Sequence, residues 1–145
     1  MLQVPIVRLD PDLAVPAYAR EGDAGADLVA REDHELSAGG GRARVSTGVS
    51  VAIPAGYAGF VLPRSGLALR HGVTCLNTPG LIDAGYRGEL QVLLVNTDPT
   101  EAFTVRRGAR IAQLVVLRVE HAAFGVVDEH DTTDRGAGGW GSSDV

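Results

Sequence analysis

Asp83 is the residue whose surroundings best suit acid–base chemistry. It lies in NTPGLIDAGYRGEL, residues 77–90, with apolar Leu81 and Ile82 before it, Ala84 and Gly85 after it, and Tyr86 three residues on. Pro79-Gly80 on one side and Gly85 on the other predict a strand, a tight reversal and a second strand. A carboxylate held at the mouth of a hairpin beside an aromatic ring can serve as general base next to a sugar or base platform. The same residues equally describe an Asx turn with a packing tyrosine.

Four further stretches carry groups that could act on a ligand. In PRSGLA, residues 63–68, Arg64 precedes a short predicted helix over SGLALRHG. Ser65 is expected to cap that helix and Gly72 to end it in a left-handed conformation. Free N–H groups, the Ser65 hydroxyl and Gly66 then offer an anion cradle, or else an ordinary capped helix with a surface arginine. In RRGARIAQLVV, residues 106–116, Gln113 interrupts an apolar strand as a satisfied core amide or a ligand donor, and Arg110 reads as an ion-pair partner. In DAGADL, residues 23–28, Asp27 stands among small residues at a strand entry. The C-terminal RGAGGWGSS sets Arg135, Trp140, Gly141 and Ser142 among glycines, with phosphate-loop composition but without the P-loop spacing.

The elements that must position these groups are strands. Short β-branched runs such as VSVAI, GFVL, QVLLVN, FTV and RIAQLVVLRV are punctuated about every eight to twelve positions by Gly, Pro, Asn or Asp. This predicts an all-β sandwich or barrel with one short helix. LQVLLV is apolar on both faces, as expected of a strand between packed sheets or against another subunit. The 145 residues suit one domain, and with aromatics at 5% the core must be aliphatic. A net charge of −5 argues against a large nucleic-acid footprint. All 13 cations are arginines, suited to planar, bidentate phosphate contacts and equally to a GC-rich genome.

Cys75 is the single cysteine, read as a buried structural thiol in a reducing cytoplasm. No apolar run suits a membrane span or signal peptide. The four histidines are isolated and lack ligand spacing. The acidic DEHDTTD, residues 128–134, reads as a solvated linker between a body over residues 1–127 and an arm over 128–145. Extended, the chain from Asp128 to Trp140 reaches roughly 40 Å at ~3.4 Å per residue, far enough to leave its own domain.

Taken in order, DAGADL, PRSGLA, PGLIDAGYRGELQVLLVN, RGARIAQL and RGAGGWGSS resemble the five motifs of the trimeric dUTPase family, over essentially residues 2–144. The resemblance implies a jelly-roll-type β-barrel assembled as a homotrimer, with a mobile C-terminal arm. It implies hydrolysis of dUTP to dUMP and pyrophosphate with Mg²⁺, at sites built from all three chains.

Carried over residue by residue, it makes Asp83 the general base for the water attacking the α-phosphorus. Tyr86 lies under the deoxyribose and excludes a 2′-hydroxyl. Asn77, Gln91 and the backbone of Gly80, Leu81 and Ile82 read the uracil edge. Arg64, Ser65 and Gly66 bind the β- and γ-phosphates with help from Gln113, and Asp27 holds Mg²⁺ through water, the phosphates supplying most ligands. Trp140 stacks on uracil where many members have Phe or His. Arg135 and Ser142 grip the γ-phosphate, and glycines such as Gly141 let the backbone approach it. Two positions depart from the pattern: Asp144 sets a negative charge near the γ-phosphate, and Ala137 replaces a common polar residue. The related dCTP deaminases carry a catalytic Glu ten residues after the Asp, where this chain has Leu93, and a second Ser where it has Gly66. A catalytically dead jelly roll that only binds nucleotide or a protein would have lost Asp83 or Arg64, and both are present.

Overall fold

Alternation of small and β-branched residues, broken by turn formers, produces eleven short strands and one helix in the computed structural model, which describes residues 1–139. In chain order they are β1 (Ile6–Arg8), β2 (Ala26–Val29), β3 (His34–Leu36), β4 (Arg42–Ser46), β5 (Val49–Val51), β6 (Tyr57–Leu62), α1 (Ser65–His71), β7 (Val73–Cys75), β8 (Gly80–Ile82), β9 (Gln91–Asn96), β10 (Phe103–Val105) and β11 (Arg110–Arg118). The largest sheet runs β2-β11-β6-β8, a second runs β4-β9-β7, and the pairs β1-β5 and β3-β10 complete a jelly-roll-type architecture. All pairings are antiparallel, and the hydrogen-bonded ladder does not close into one continuous barrel.

The sheets share one core. Leu28, Leu36, Ile53, Leu90, Leu94 and Ile111 are its largest fully buried side chains, each contributing about 1.5–3 kcal/mol of transfer free energy. As the composition requires, the buried hydrophobic residues are aliphatic, with Tyr57 and Phe103 packed at the margin. Buried Asn96 satisfies its amide by donating to the carbonyls of Leu36 (3.1 Å) and Glu101 (2.8 Å) and accepting the Asp98 N–H (3.0 Å). Cys75 is buried as expected, and burial pushes its thiol up to about 11, which keeps it protonated and inert.

Two local expectations are corrected. Arg64, in extended conformation, is the N-cap of α1, and Ser65 is its first helical residue with no side-chain cap bond; Gly72 ends the helix at φ 63° as expected. β8 and β9 are not a hairpin: β8 pairs with β6 and β9 with β4 and β7, so residues 83–90 cross from one sheet to the other. β9 buries Val92 and Leu94, while Leu93 and Val95 on its outer face are half-buried. Residues 120–139 are exposed and carry no strand or helix. Among the described residues no helix is long and apolar enough to cross a membrane.

Candidate active site

The strand register assembles the first half of the site. Gln113 of β11 stands opposite Asp27 of β2 on one side and Leu62 of β6 on the other, which sets the three in one row on the outer face. Two residues beyond Leu62 comes Arg64. Its Nε lies 3.3 Å from Asp27 Oδ1, and its Nη1 donates to the Arg110 carbonyl at 3.2 Å. The second Asp27 oxygen meets Arg110 Nη1 at 3.2 Å. A β-bulge makes this second ion pair possible. Period-two alternation from outward Gln113 would turn Arg110 into the core; instead Ile111 and Ala112 are both buried, and Arg110 emerges beside Asp27.

These groups line an open cavity of about 490 Å³, together with Arg20, Asp23 and Gly25. Its three arginines outnumber its two aspartates, so the wall favours an anion. Gln113 is neither core nor free: half-buried, it donates to the Pro63 carbonyl at 3.3 Å. A Cβ on Gly25 would lie 2.7 Å from Gln113 Oε1, so only glycine lets that amide sit against β2. Arg20 and Gly25 carry no signal in the sequence that sets them apart from other loop residues; the Arg110–Asp27 contact depends on the bulge.

The second half lies at the other end of β6. The β6–β8 register pairs Val61 with Gly80 and Gly59 with Ile82, which brings Asp83 level with Ala58. Arg64 is six residues further along, roughly 20 Å at ~3.3 Å per residue. One chain therefore separates Asp83 and Tyr86 from Arg64, Ser65, Gly66, Gln113 and Asp27. Asp83 is exposed, and its carboxylate makes no hydrogen bond to any described residue, so the Asx turn does not form; its carbonyl accepts the Tyr86 N–H at 3.0 Å. Tyr86 is 42% exposed, and Arg87 Nη1 closes the turn on the carbonyls of Ala84 (2.6 Å) and Tyr86 (2.7 Å).

Asn77 is exposed and lies against Gly80, where an added Cβ would stand 3.3 Å from its Nδ2. Gly80 is buried, Ile82 half-buried and Leu81 exposed. Gln91, at the start of β9, donates to Ser46 Oγ at 3.3 Å. Ser65 is exposed at the start of α1 and Gly66 is half-buried. Arg135 donates to the Gly138 carbonyl at 3.2 Å within an exposed turn. Trp140, Gly141 and Ser142 lie outside the described residues.

Polar motifs at the strand ends of a jelly roll, in this chain order, define the class of protein, and comparison with known proteins then defines the family. The family model described as dUTPase matches residues 12–144. The deoxyuridine 5'-triphosphate nucleotidohydrolase of Thermobifida fusca (strain YX) is 60% identical over 142 residues, 98% of this chain and 79% of that protein. The protein of the same name from Cutibacterium acnes (strain DSM 16379 / KPA171202) is 59% identical over 132 residues, 91% of this chain and 86% of its own. The dUTPase of Staphylococcus bacteriophage 80alpha, solved with dUPNHPP, superposes with a TM-score of 0.91 at 27% identity and covers 100% of both chains. The chain belongs to the dUTPase family.

Proposed function

We propose that this protein hydrolyses dUTP to dUMP and pyrophosphate in the cytoplasm, which limits uracil incorporation into DNA and supplies dUMP for dTTP synthesis. The observation that carries the reading is the bare Asp83 carboxylate beside exposed Tyr86, set apart from an arginine-rich cavity. A general base needs a free lone pair, and a phosphate clamp needs fixed cations. Asp83 takes the proton of the attacking water, which forms the new bond to the α-phosphorus as the bond to the leaving pyrophosphate breaks. Arg64, Gln113 and the first turn of α1 bear the charge that builds on that leaving group. Asn77, Gln91 and the Gly80–Ile82 backbone orient uracil.

Because Asp83 and Arg64 stand at opposite ends of β6, one nucleotide meets both most readily when two copies of the chain face each other. This supports a homotrimer with shared sites. The exposed segment 120–139 supports an arm that brings Arg135, Trp140, Gly141 and Ser142 to a neighbouring site. Closure of that arm excludes water.

The family implies Mg²⁺, and the donors fit an ion that arrives with the polyphosphate. Of the two carboxylates lining the cavity, Asp23 accepts the Arg20 N–H at 2.9 Å and Asp27 has both oxygens facing guanidiniums, so water and phosphate oxygens must supply most ligands. Asp27 would hold such an ion through water, and the ion would supply neutralisation of phosphate charge.

The test is a nucleotide panel with Mg²⁺. Pyrophosphate should appear from dUTP and hardly at all from dTTP, dCTP or UTP. A protein that turns over none of them would sink the reading. Removing residues 135–145 should leave a folded oligomer of severely reduced activity, and Trp140 fluorescence should respond to a non-hydrolysable dUTP analogue.

A further inference from the structure

Tyr86 rests on a seat made by two residues that have no role above. Its hydroxyl donates to the Glu89 carbonyl at 2.9 Å, folding the ring back over Gly88. A Cβ built at Gly88 would lie 2.5 Å from Tyr86 Oη, 2.7 Å from Cζ and 3.1 Å from Cε2. Gly88 does not adopt a positive φ, so its backbone does not call for glycine; the ring does.

The carbonyl that holds the ring belongs to the best-anchored part of the crossing segment. Glu89 Oε1 accepts the Gly48 N–H at 2.8 Å and meets Arg31 Nη1 at 3.3 Å. Leu90 donates to the Val49 carbonyl at 2.8 Å, and its own carbonyl accepts the Thr47 hydroxyl at 2.8 Å. Arg31 continues to Asp10 at 3.5 Å, and Asp10 to Arg107 at 2.7 Å. An exposed ring is thereby tied to the turns beneath it.

We propose that Gly88 and Glu89 are positioning residues for sugar selection: the bare Gly88 Cα and the anchored Glu89 carbonyl hold the Tyr86 ring at the height that admits deoxyribose and rejects ribose. The inference rests on the reading of Tyr86 as the sugar platform. A ring fixed on one side by contact and at its tip by a hydrogen bond cannot yield to an extra hydroxyl, whereas an untethered ring can. Discrimination of this kind depends on a wall that does not relax.

The experiment compares kcat and KM for dUTP and for UTP in the full chain, with circular dichroism and thermal melting on each variant. Gly88→Ala must displace the ring. It should raise KM for dUTP and lower the dUTP-to-UTP ratio of kcat/KM by about tenfold or more, with kcat for dUTP within about threefold of wild type. Glu89→Ala, which keeps the carbonyl but frees it from Gly48 and Arg31, should lower the ratio less, and Glu89→Gln should recover it because its amide oxygen can still accept the Gly48 N–H. Should Gly88→Ala fail to fold, the Glu89 pair decides. Folded variants with the wild-type ratio would overturn the proposal while leaving the enzyme reading intact. A wild type that hydrolyses UTP as well as dUTP would remove the Tyr86 assignment and this inference with it.

Discussion

The two ends of β6 treat their carboxylates in opposite ways. At one end Asp27 is held by Arg64 and Arg110, each oxygen within 3.3 Å of a guanidinium. At the other, Asp83 is exposed and unpaired among the described residues, while the turn around it is held through the backbone and by Tyr86, Arg87 and Glu89. A carboxylate held between two cations has both oxygens engaged. It is a good organiser, holding two arginines at the cavity ready for an incoming anion. A carboxylate without partners leaves its lone pairs open to an incoming water. Under the proposed function, the same residue type serves two ends of one reaction and differs only in its neighbours.

The largest effect that would break this comparison is at Asp83. Asp83→Asn should still bind a non-hydrolysable dUTP analogue by calorimetry, while kcat falls by about 10³-fold, within the usual range for a positioned base. Near-normal turnover would remove Asp83 from the chemistry. Next comes Arg64→Ala, expected to lower kcat/KM for dUTP roughly 10²-fold, as for loss of one preorganised donor. Mixing separately purified Asp83→Asn and Arg64→Ala chains through an unfolding and refolding step should restore part of the lost activity if the two ends meet across copies. No recovery from well-folded mixed oligomers would mean that each chain works alone.

Much of this division was legible in the sequence, and the exceptions have physical causes. Four of the five motifs carry Asp83, Tyr86, Arg64, Asp27 and Gln113, and Gln113 could be seen to interrupt an apolar strand. Arg110 was rightly read as an ion-pair partner, but its partner could not be, because the β-bulge that turns it outward reverses the parity on which such a reading depends. The hairpin expected after Gly80 fails because strand–turn–strand punctuation does not say which sheet the second strand joins; β8 and β9 take partners 19 or more residues distant in sequence. Ser65 misled for a narrower reason. A serine before a helical run is a common cap, but Arg64 already adopts the extended conformation of the N-cap. Gly25 and Gly88 were invisible as site residues because glycine records only that a side chain is missing, and not what fills the space.

Gly25 sharpens the comparison at the clamp end. An added Cβ would meet Gln113 Oε1 at 2.7 Å and Gln113 Cβ at 3.0 Å. Gly25→Ala should therefore push the amide off the Pro63 carbonyl and lower kcat/KM by about tenfold, or about 1.4 kcal/mol. The same substitution in a Gln113→Ala background should cost far less, since the clash partner has gone. Equal losses in the two backgrounds would mean that Gly25 acts without Gln113.

The smallest expected effect concerns scaffold carboxylates outside the cavity. Hydrogen bonding to Arg107, aided by the Asp12 N–H and the charges of Arg107 and Arg31, holds the Asp10 carboxyl at about 2, below its ordinary 3.8. Asp33 and Asp98 are held low as well, chiefly by the backbone N–H groups of Arg107 and Glu101. A carboxyl whose folded value is depressed binds its proton less readily when folded than when unfolded. Its contribution is therefore present above the unfolded value near 3.8 and is lost as the pH falls toward 2. Urea midpoints measured between pH 5 and pH 2.5 should decline for the wild type and decline less steeply for Asp10→Asn, which starts lower because Arg107 and Arg31 have lost their shared anion. Identical slopes would mean that Asp10 stabilises nothing. None of these three carboxylates lines the arginine-rich cavity, so this acid sensitivity belongs to the scaffold and not to the Asp27 ion pairs.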